Sequence, residues 1–569
     1  MELNCKRRVL FIGEASFLAT GFSTYWHEVI KRLHETGEFE IAELGSYAHD
    51  DDPRCAQVPW KFYPIAPARS NQSAMQQYMS KPTNQFGEQR FDDVCLDFKP
   101  DIVCGIRDWW MDEFILRAPS RYNFSFIWMP TIDGEPQREL WLDSYLKCDR
   151  VLTYSEYGMN LLKQTGRRGT NLVTIASPGA DLETFKPPED KKQHKANLGI
   201  DPTSIIVGTV MRNQKRKLYY DLVEGFAKWL NLSKNKGHVS LAKRTFLYLH
   251  TSYPDVGYDI GKAIRDFKIG NKVIMTYLCK NCQTVYPAFF SGELMICRKC
   301  GKLAAHPPNA EHSCPRNVLA DIMKTFDLYV QYSICEGWGM PLTEAQACGV
   351  PTMAVRYSAM EDHLLSPTAI PIEVERFFWE SIIETEQRRA LPSNTDFVSK
   401  LDRFVKQSEA VRDEKARLTR AYVKELVPTY GQDAPMCRRG WERTAAIWGQ
   451  VIRETTIKNQ QDTWLCPTPR INRPNLIPPS NDMNNSEFVN WVIGKVWNRP
   501  DMLRTHFSSE WLKSLNSGSQ TVGDRRMPFN RKAFVEHFIE VVKQENAVEE
   551  KRIASMRHEE IDQVNVTVL

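Results

Sequence analysis

Short apolar runs alternate with amphipathic stretches along most of the chain. Runs at residues 9–13, 102–105, 124–129, 205–210, 245–250, 273–277 and 326–332 are continuous enough to be strands buried on both faces. Between them lie segments with apolar positions at helical spacing. One carries Tyr25, Val29, Ile30 and Leu33, and another spans residues 218–230. This alternation predicts an α/β fold of doubly wound sheets. Residues 356–432 read as helical and charged, and residues 441–448 as a helix. Proline-rich residues 466–479 read as an extended linker. The tail, residues 480–569, reads as a small helical accessory domain, with amphipathic pieces at 488–497 and 533–542.

The densest candidate chemistry follows the run ending at Tyr332. It reads Ser333-Ile334-Cys335-Glu336-Gly337-Trp338-Gly339-Met340-Pro341-Leu342-Thr343-Glu344-Ala345-Gln346-Ala347-Cys348-Gly349-Val350-Pro351. Residues 340–347 have helix-forming composition, Pro341 suits a first turn and Gly349 a stop. A strand, a glycine-rich turn and a helix start would aim the N–H groups from Gly337 to Leu342 at an arriving anion. Glu336 in the turn, and Glu344 about two turns into the helix, could accept hydrogen bonds from sugar hydroxyls. A diphosphate flanked by sugars fits such a site. After the run at 205–210 comes Met211-Arg212-Asn213-Gln214-Lys215-Arg216-Lys217, ahead of a helix. Cations at a helix start are unfavourable unless an anion offsets them, which suits a diphosphate clamp. A basic surface for nucleic acid is the rival reading.

Glu336-Gly337-x-Gly339-x-Pro341-x-x-Glu344-Ala345-x-Ala347-Cys348-Gly349-x-Pro351 resembles the signature of retaining family 4 glycosyltransferases of the GT-B fold. The resemblance covers about residues 8–455, less one insert. It implies two Rossmann-like domains facing a cleft, residues 1–185 on the acceptor side and 186–455 on the donor side. The helix near Trp441 would cross back to brace the first domain. Residues 149–157 would be the last strand of the first domain, with Ser155 capping the next helix. By resemblance, Arg212 and Lys217 hold the donor pyrophosphate, Glu344 the ribose hydroxyls and Glu336 the donor sugar. Gly21, Phe22, Ser23 and Thr24, ahead of the first helix, would line the cleft. Asp133, in the loop after residues 124–129, would face the reacting sugar, its other reading being an Asp-Gly turn. Such enzymes retain anomeric configuration, with a donor phosphate oxygen thought to help deprotonate the acceptor. No Asp-x-Asp triplet of the kind that holds a divalent metal in other transferases is read in the chain, so metal-independent chemistry is expected.

One module departs from the family. Residues 278–315 carry Cys279-x-x-Cys282 and Cys297-x-x-Cys300, two knuckles that suit four thiolates around one structural zinc. His306, His312 and Cys314 follow as loop residues, any of which could substitute as a ligand. Lys280, Arg298, Lys299 and Lys302 make nucleic acid, with a hydroxymethylated base, one candidate acceptor, beside a glycan. A non-catalytic module binding nucleotide sugar or nucleic acid is the alternative function.

Composition narrows this little further. With 569 residues, 42% hydrophobic and 25% charged, the chain is globular and too long for one core. A net charge of +4 neither demands nor excludes a polyanionic partner. No window approaches the roughly eighteen apolar residues of a membrane span. The start lacks a signal peptide's apolar region, and 14 scattered cysteines suit a reducing compartment, so a cytoplasmic location is expected.

Overall fold

The computed structural model describes residues 6–165, 171–309, 312–381 and 384–458, with short stretches between 519 and 547. The chain divides into two compact units, Met1–Leu116 with Phe124–Lys458, and Arg117–Asn123 with Asn459–Leu569.

The first unit holds two sheets. Strands β1 (Arg8–Glu14), β2 (Glu40–His49), β3 (Lys61–Ala66), β4 (Ile102–Gly105), β5 (Ser125–Trp128), β6 (Arg150–Thr153) and β7 (Leu172–Ile175) pair in the order β3-β2-β1-β4-β5-β6-β7. Every pair is parallel. The order reverses between β1 and β4, which makes a crevice at their carboxyl ends. The sheet closes on β7, one strand beyond the expected last strand, because the chain returns after the helix capped by Ser155 to pair with β6.

The second sheet contains β8 (Ile205–Val210), β9 (Thr245–His250), β10 (Val273–Cys279), β11 (Val285–Phe289), β12 (Met295–Ile296), β13 (Leu303–His306), β14 (Leu328–Gln331), β15 (Thr352–Val355) and β16 (Ile370–Ile372). Its parallel part runs β10-β9-β8-β14-β15-β16, reversing between β8 and β14. The cysteine-bearing insert builds onto this sheet, because β11 and β13 both pair antiparallel with β10.

Helix α1 (Gly21–Glu35) follows β1, α2 (Tyr219–Asn235) follows β8, α3 (Arg316–Met323) leaves the insert, and α4 (Met340–Ala347) follows β14. The last helix, α5 (Trp441–Glu454), packs on α1 as the closing helix was expected to do. Trp448 Nε1 donates to Tyr25 Oη at 2.7 Å, and Trp26 and Trp448 meet edge to face at 5.1 Å. Such aromatic pairs add about 1 kcal/mol each beyond their buried area.

Two helix expectations in the first unit need correction. Residues 356–432 are not all helical: β17 (Val374–Trp379) and β18 (Arg388–Pro392) form an antiparallel hairpin. The aromatic run Phe377-Phe378-Trp379 favours extended backbone over a charged helix. Helix α1 also begins at Gly21 rather than after Thr24, because the Thr20 hydroxyl accepts from Ser23 N–H and caps it there.

In the second unit the helical reading of residues 480–569 is corrected in part: Ser519–Val522 and Arg525–Pro528 pair antiparallel, while residues 532–537 are helical. The linker at 466–479 and the helical piece at 488–497 lie outside the described residues, as does most of the 480–569 domain.

Candidate functional site

Both crevices carry charged side chains. On leaving β8 the chain makes one tight turn, Lys215–Lys217, and passes through Leu218 at φ 39° before α2. A leucine at positive φ is strained, and here the strain accompanies the turn that sends Lys217 inward. Lys217 Nζ bonds Glu336 Oε1, and Arg216 Nη1 donates to Glu336 Oε2 at 3.0 Å. Ser333 Oγ donates to Oε1 at 2.8 Å, and Gln331 Nε2 donates to the same oxygen. Burial pushes the Glu336 carboxyl up, but Lys217 and Arg216 outweigh it and hold it at about 2. Burial, helped by the Arg216 charge, draws Lys217 down to about 8 against the pull of Glu336. Arg216, Glu336 and Lys217 thus form a triad of net charge +1, with Lys217 and Glu336 buried and Arg216 partly exposed.

Glu336 leads through Gly337 and Trp338 into α4, whose bounds match those read from the sequence. Gly339 caps the helix at φ +88°, a conformation that suits glycine. The supply of N–H groups is smaller than expected. Pro341 has none, and Leu342 N–H is spent on Gly339 O at 2.9 Å. Gly337, Trp338, Gly339 and Met340 remain as candidates to meet an anion. Trp338 is buried, its Nε1 bonded to Thr343 Oγ1 at 3.0 Å and its ring under the Arg439 guanidinium. Leu342 is also wholly buried, so both side chains act as packing. Glu344 lies little more than one turn into α4 rather than two, and its Oε1 accepts from Arg316 Nη2 at 2.8 Å. Arg212 stands apart from the triad. It is mostly exposed and grips Asp255 with two bonds, at 2.9 and 3.0 Å.

Across the crevice, Gly21 is close to α4: a Cβ there would sit 3.8 Å from Met340 Cε. Ser23 is buried, Phe22 packs against the same core cluster as Met340, and Thr24 Oγ1 bonds Thr20 O at 2.8 Å. Gly337 approaches Thr131 so closely that a Cβ would fall 2.5 Å from Thr131 Cγ2. Asp133 Oδ1 accepts from Arg389 Nη1 at 2.9 Å, and its Oδ2 accepts from Cys335 Sγ at 3.4 Å. Asp133 and Glu336 are therefore brought to one place from opposite sheets.

Two acidic groups here escaped the sequence reading. Asp108, just past β4, is raised to about 7 by burial and by the charge of Asp133, with Thr131 and Arg216 pulling the other way. Glu14, at the end of β1, is raised by burial, against its bond from Thr20 and the charges of Arg107 and Arg212. The strand-end rule that singled out Asp133 applies equally to both. Contrary to expectation, the sequence does hold one Asp-x-Asp run, Asp50–Asp52, just past β2. Its three carboxylates pair with Arg90, Arg69 and Arg54 at 2.9, 2.9 and 2.7 Å.

In the insert, the thiol sulfurs of Cys279, Cys282, Cys297 and Cys300 all lie within 4.8 Å of one another. Cys279–Cys300 and Cys282–Cys297 are each 3.6 Å apart. Four sulfurs about 2.3 Å from a tetrahedral zinc would be about 3.8 Å apart, so the spacing fits a metal and exceeds a disulfide. Lys299 N–H donates to Cys297 Sγ at 3.4 Å, the kind of bond that supports a thiolate. His306 is not a loop residue but ends β13, paired with Leu278; its Nδ1 lies 2.7 Å from Pro307 O, and its ring meets His312 edge to face outside this group.

No family model matches the chain. A sucrose-phosphate synthase from Thermosynechococcus elongatus superposes with TM-score 0.52 at 14% identity, over 79% of this chain and 99% of that one. The fold is GT-B. Anabaena HepE in complex with UDP superposes equally, with TM-score 0.52 at 12% identity over 79% of this chain and all of that one. A D-inositol 3-phosphate glycosyltransferase from Rhodococcus erythropolis is 26% identical over 182 residues. The chain spans about a third of the length of that relative. Among the described residues, no helix is long and apolar enough to cross a membrane.

Proposed function

We propose that the chain is a retaining glycosyltransferase that moves a sugar from a nucleotide-diphosphate sugar to an acceptor hydroxyl, without a divalent metal in catalysis. The observation that carries the reading is the net-positive Arg216–Glu336–Lys217 triad, set between β8 and β14 beside the N-terminus of α4. Ligands of open α/β sheets gather at such a point. The leaving diphosphate gains negative charge in the transition state, and fixed cations there stabilise it as a metal ion would elsewhere. Lys217 and Arg216 take that role, with Arg212 at the exposed edge. Glu344 receives the ribose hydroxyls, displacing or sharing Arg316, and Glu336 the donor sugar. Gly21, Asp108 and Asp133 face from the acceptor half, residues 1–185, and the donor half is residues 186–455.

A uridine diphosphate donor is favoured because HepE, of the same fold, has been seen with UDP. Cys279, Cys282, Cys297 and Cys300 would hold one zinc, closed by four sulfurs and hence structural. Thiolates so grouped suit a reducing cytoplasm. Lys280, Arg298, Lys299 and Lys302 are all exposed on the insert, which supports a polyanionic acceptor such as nucleic acid with a hydroxymethylated base.

The test is thermal stability against uridine, guanosine, adenosine and thymidine diphosphates, with Glu344→Ala and Lys217→Met alongside. Binding to the native state raises the melting temperature by mass action. A rise with one nucleotide, lost in both variants, supports the reading. No rise with any of the four would put a donor-independent binding module in its place.

A further inference from the structure

The β17–β18 hairpin belongs to the donor half, yet its second strand is bonded on both sides of the crevice. Ala390 N–H donates to Ile334 O at 3.1 Å, two residues before Glu336. Arg388 N–H donates to Glu135 O at 2.7 Å, two residues after Asp133. Between them, Arg389 is a buried guanidinium. Its Nη1 donates to both Asp133 Oδ1 at 2.9 Å and Asp133 O at 3.1 Å. Its Nη2 donates to Thr385 Oγ1 at 3.0 Å, and its Nε pairs with Glu380 at 3.0 Å. Gln387 Nε2 adds a bond to Gly134 O at 2.9 Å.

Gly134 shows how tightly the hairpin is fitted. A Cβ there would lie 2.4 Å from Arg389 Nη1 and 3.1 Å from Gln387 Oε1, so the guanidinium rests on bare backbone. A hairpin serving only as a surface strap could hold this loop through Arg388 and Glu135, which already form a half-buried pair. That role does not call for a buried cation that links Glu380 of the hairpin to Asp133 of the opposite loop. Asp133, gripped on Oδ1 by Arg389 and on Oδ2 by Cys335, keeps a quarter of its side chain exposed. Each carboxylate oxygen retains acceptor capacity for a hydroxyl.

We infer that the hairpin completes the active site, with Arg389 as a positioning residue that fixes Asp133 opposite Glu336 so that the donor sugar is held between the two carboxylates. The inference rests on the glycosyl-transfer reading and extends it to a named residue outside the donor motif. Arg389 does not touch the sugar. It acts through Asp133, and a displacement of about 1 Å in such a contact costs on the order of a hundredfold in productive geometry.

The test is calorimetric binding of UDP and of UDP-glucose to the whole protein and to Arg389→Ala, Arg389→Lys, Asp133→Asn and the Arg389→Ala/Asp133→Asn pair. The native protein should bind UDP-glucose more tightly than UDP. In Arg389→Ala and Asp133→Asn that preference should fall about tenfold while UDP affinity stays within about twofold. The paired variant should lose no more than either single, since both break one contact. Arg389→Lys should restore part of the preference, which a merely structural arginine would not do. The inference is overturned if Arg389→Ala keeps the preference, if it loses UDP affinity in equal measure, or if the two losses multiply. A native protein that binds neither ligand overturns the glycosyl-transfer reading itself, a result separable from the other three.

Discussion

Replacing Glu336 by Gln should unmask the cost of the buried Lys217 and the partly exposed Arg216 beside it. The native carboxylate is held at about 2, against an ordinary 4.5, although only 5% of the residue is exposed. That depression stabilises the fold above pH 4.5 and is lost as pH falls through about 2. At about 1.4 kcal/mol per pH decade, the gap contributes about 3 kcal/mol at pH 7. Leaving a buried ion pair half-made costs about 3–5 kcal/mol by comparison with other proteins, which agrees. Glu336→Gln should therefore lose about 3 kcal/mol in urea unfolding followed by tryptophan fluorescence at pH 7. The deficit should shrink steadily between pH 4.5 and 2, where the native protein also loses its carboxylate. Adding Lys217→Met should recover most of the loss at pH 7, because the stranded cation goes with its partner. A Glu336→Gln protein as stable as native, or a double variant weaker than the single, would refute the triad as drawn.

Lys217 at about 8 gives a second pH signature: a bound diphosphate should restore its proton, so UDP affinity should hold below pH 7 and weaken as pH rises through 8. Calorimetry in two buffers of different ionisation enthalpy checks this, and no proton uptake at pH 8 would contradict it. Cys279→Ser or Cys297→Ser should lower bound zinc from one per chain and drop the melting temperature, as should a strong chelator. Metal analysis alongside a melt reads both. Gly208→Ala, whose Cβ would fall 2.3 Å from the Phe326 ring, should cost about 2–3 kcal/mol, with Phe326→Leu recovering part of it in the double variant.

How much of this was legible depended on how local the determining physics was. The bounds of α4 follow from Pro341 at its start and Gly349, at φ +72°, just past its end, and both signals sit within the motif. The closing helix announced itself through an amphipathic run with Trp441 and Trp448 on its buried face. Pairings across long separations were not legible. Arg216, rather than Arg212, joins Lys217 on Glu336 from 120 residues away, while Arg212 is taken by Asp255. Arg389 reaches Asp133 across 256 residues, from a hairpin misread as helix because its charged positions outweighed its aromatic ones. Composition shows that a strand end carries cations and does not show which carboxylate each will meet.

The triad also explains why such a costly arrangement persists in the core. Glu336 stabilises the fold by about 3 kcal/mol at pH 7, judged from 4.5 against about 2. Lys217 acts the other way, since its folded value of about 8 lies below the ordinary 10.5: its charge is penalised below pH 8, and the penalty fades between 8 and 10.5. The two act in opposite directions, and buried ion pairs commonly contribute little net stability. Glu336 gains from two cations, whereas Lys217 meets one anion and one cation, and the surplus positive charge falls on the lysine. An arriving diphosphate supplies the missing negative charge and removes the Lys217 penalty. Free energy withheld from folding is then released on binding, which is what a site complementary to a charged leaving group requires.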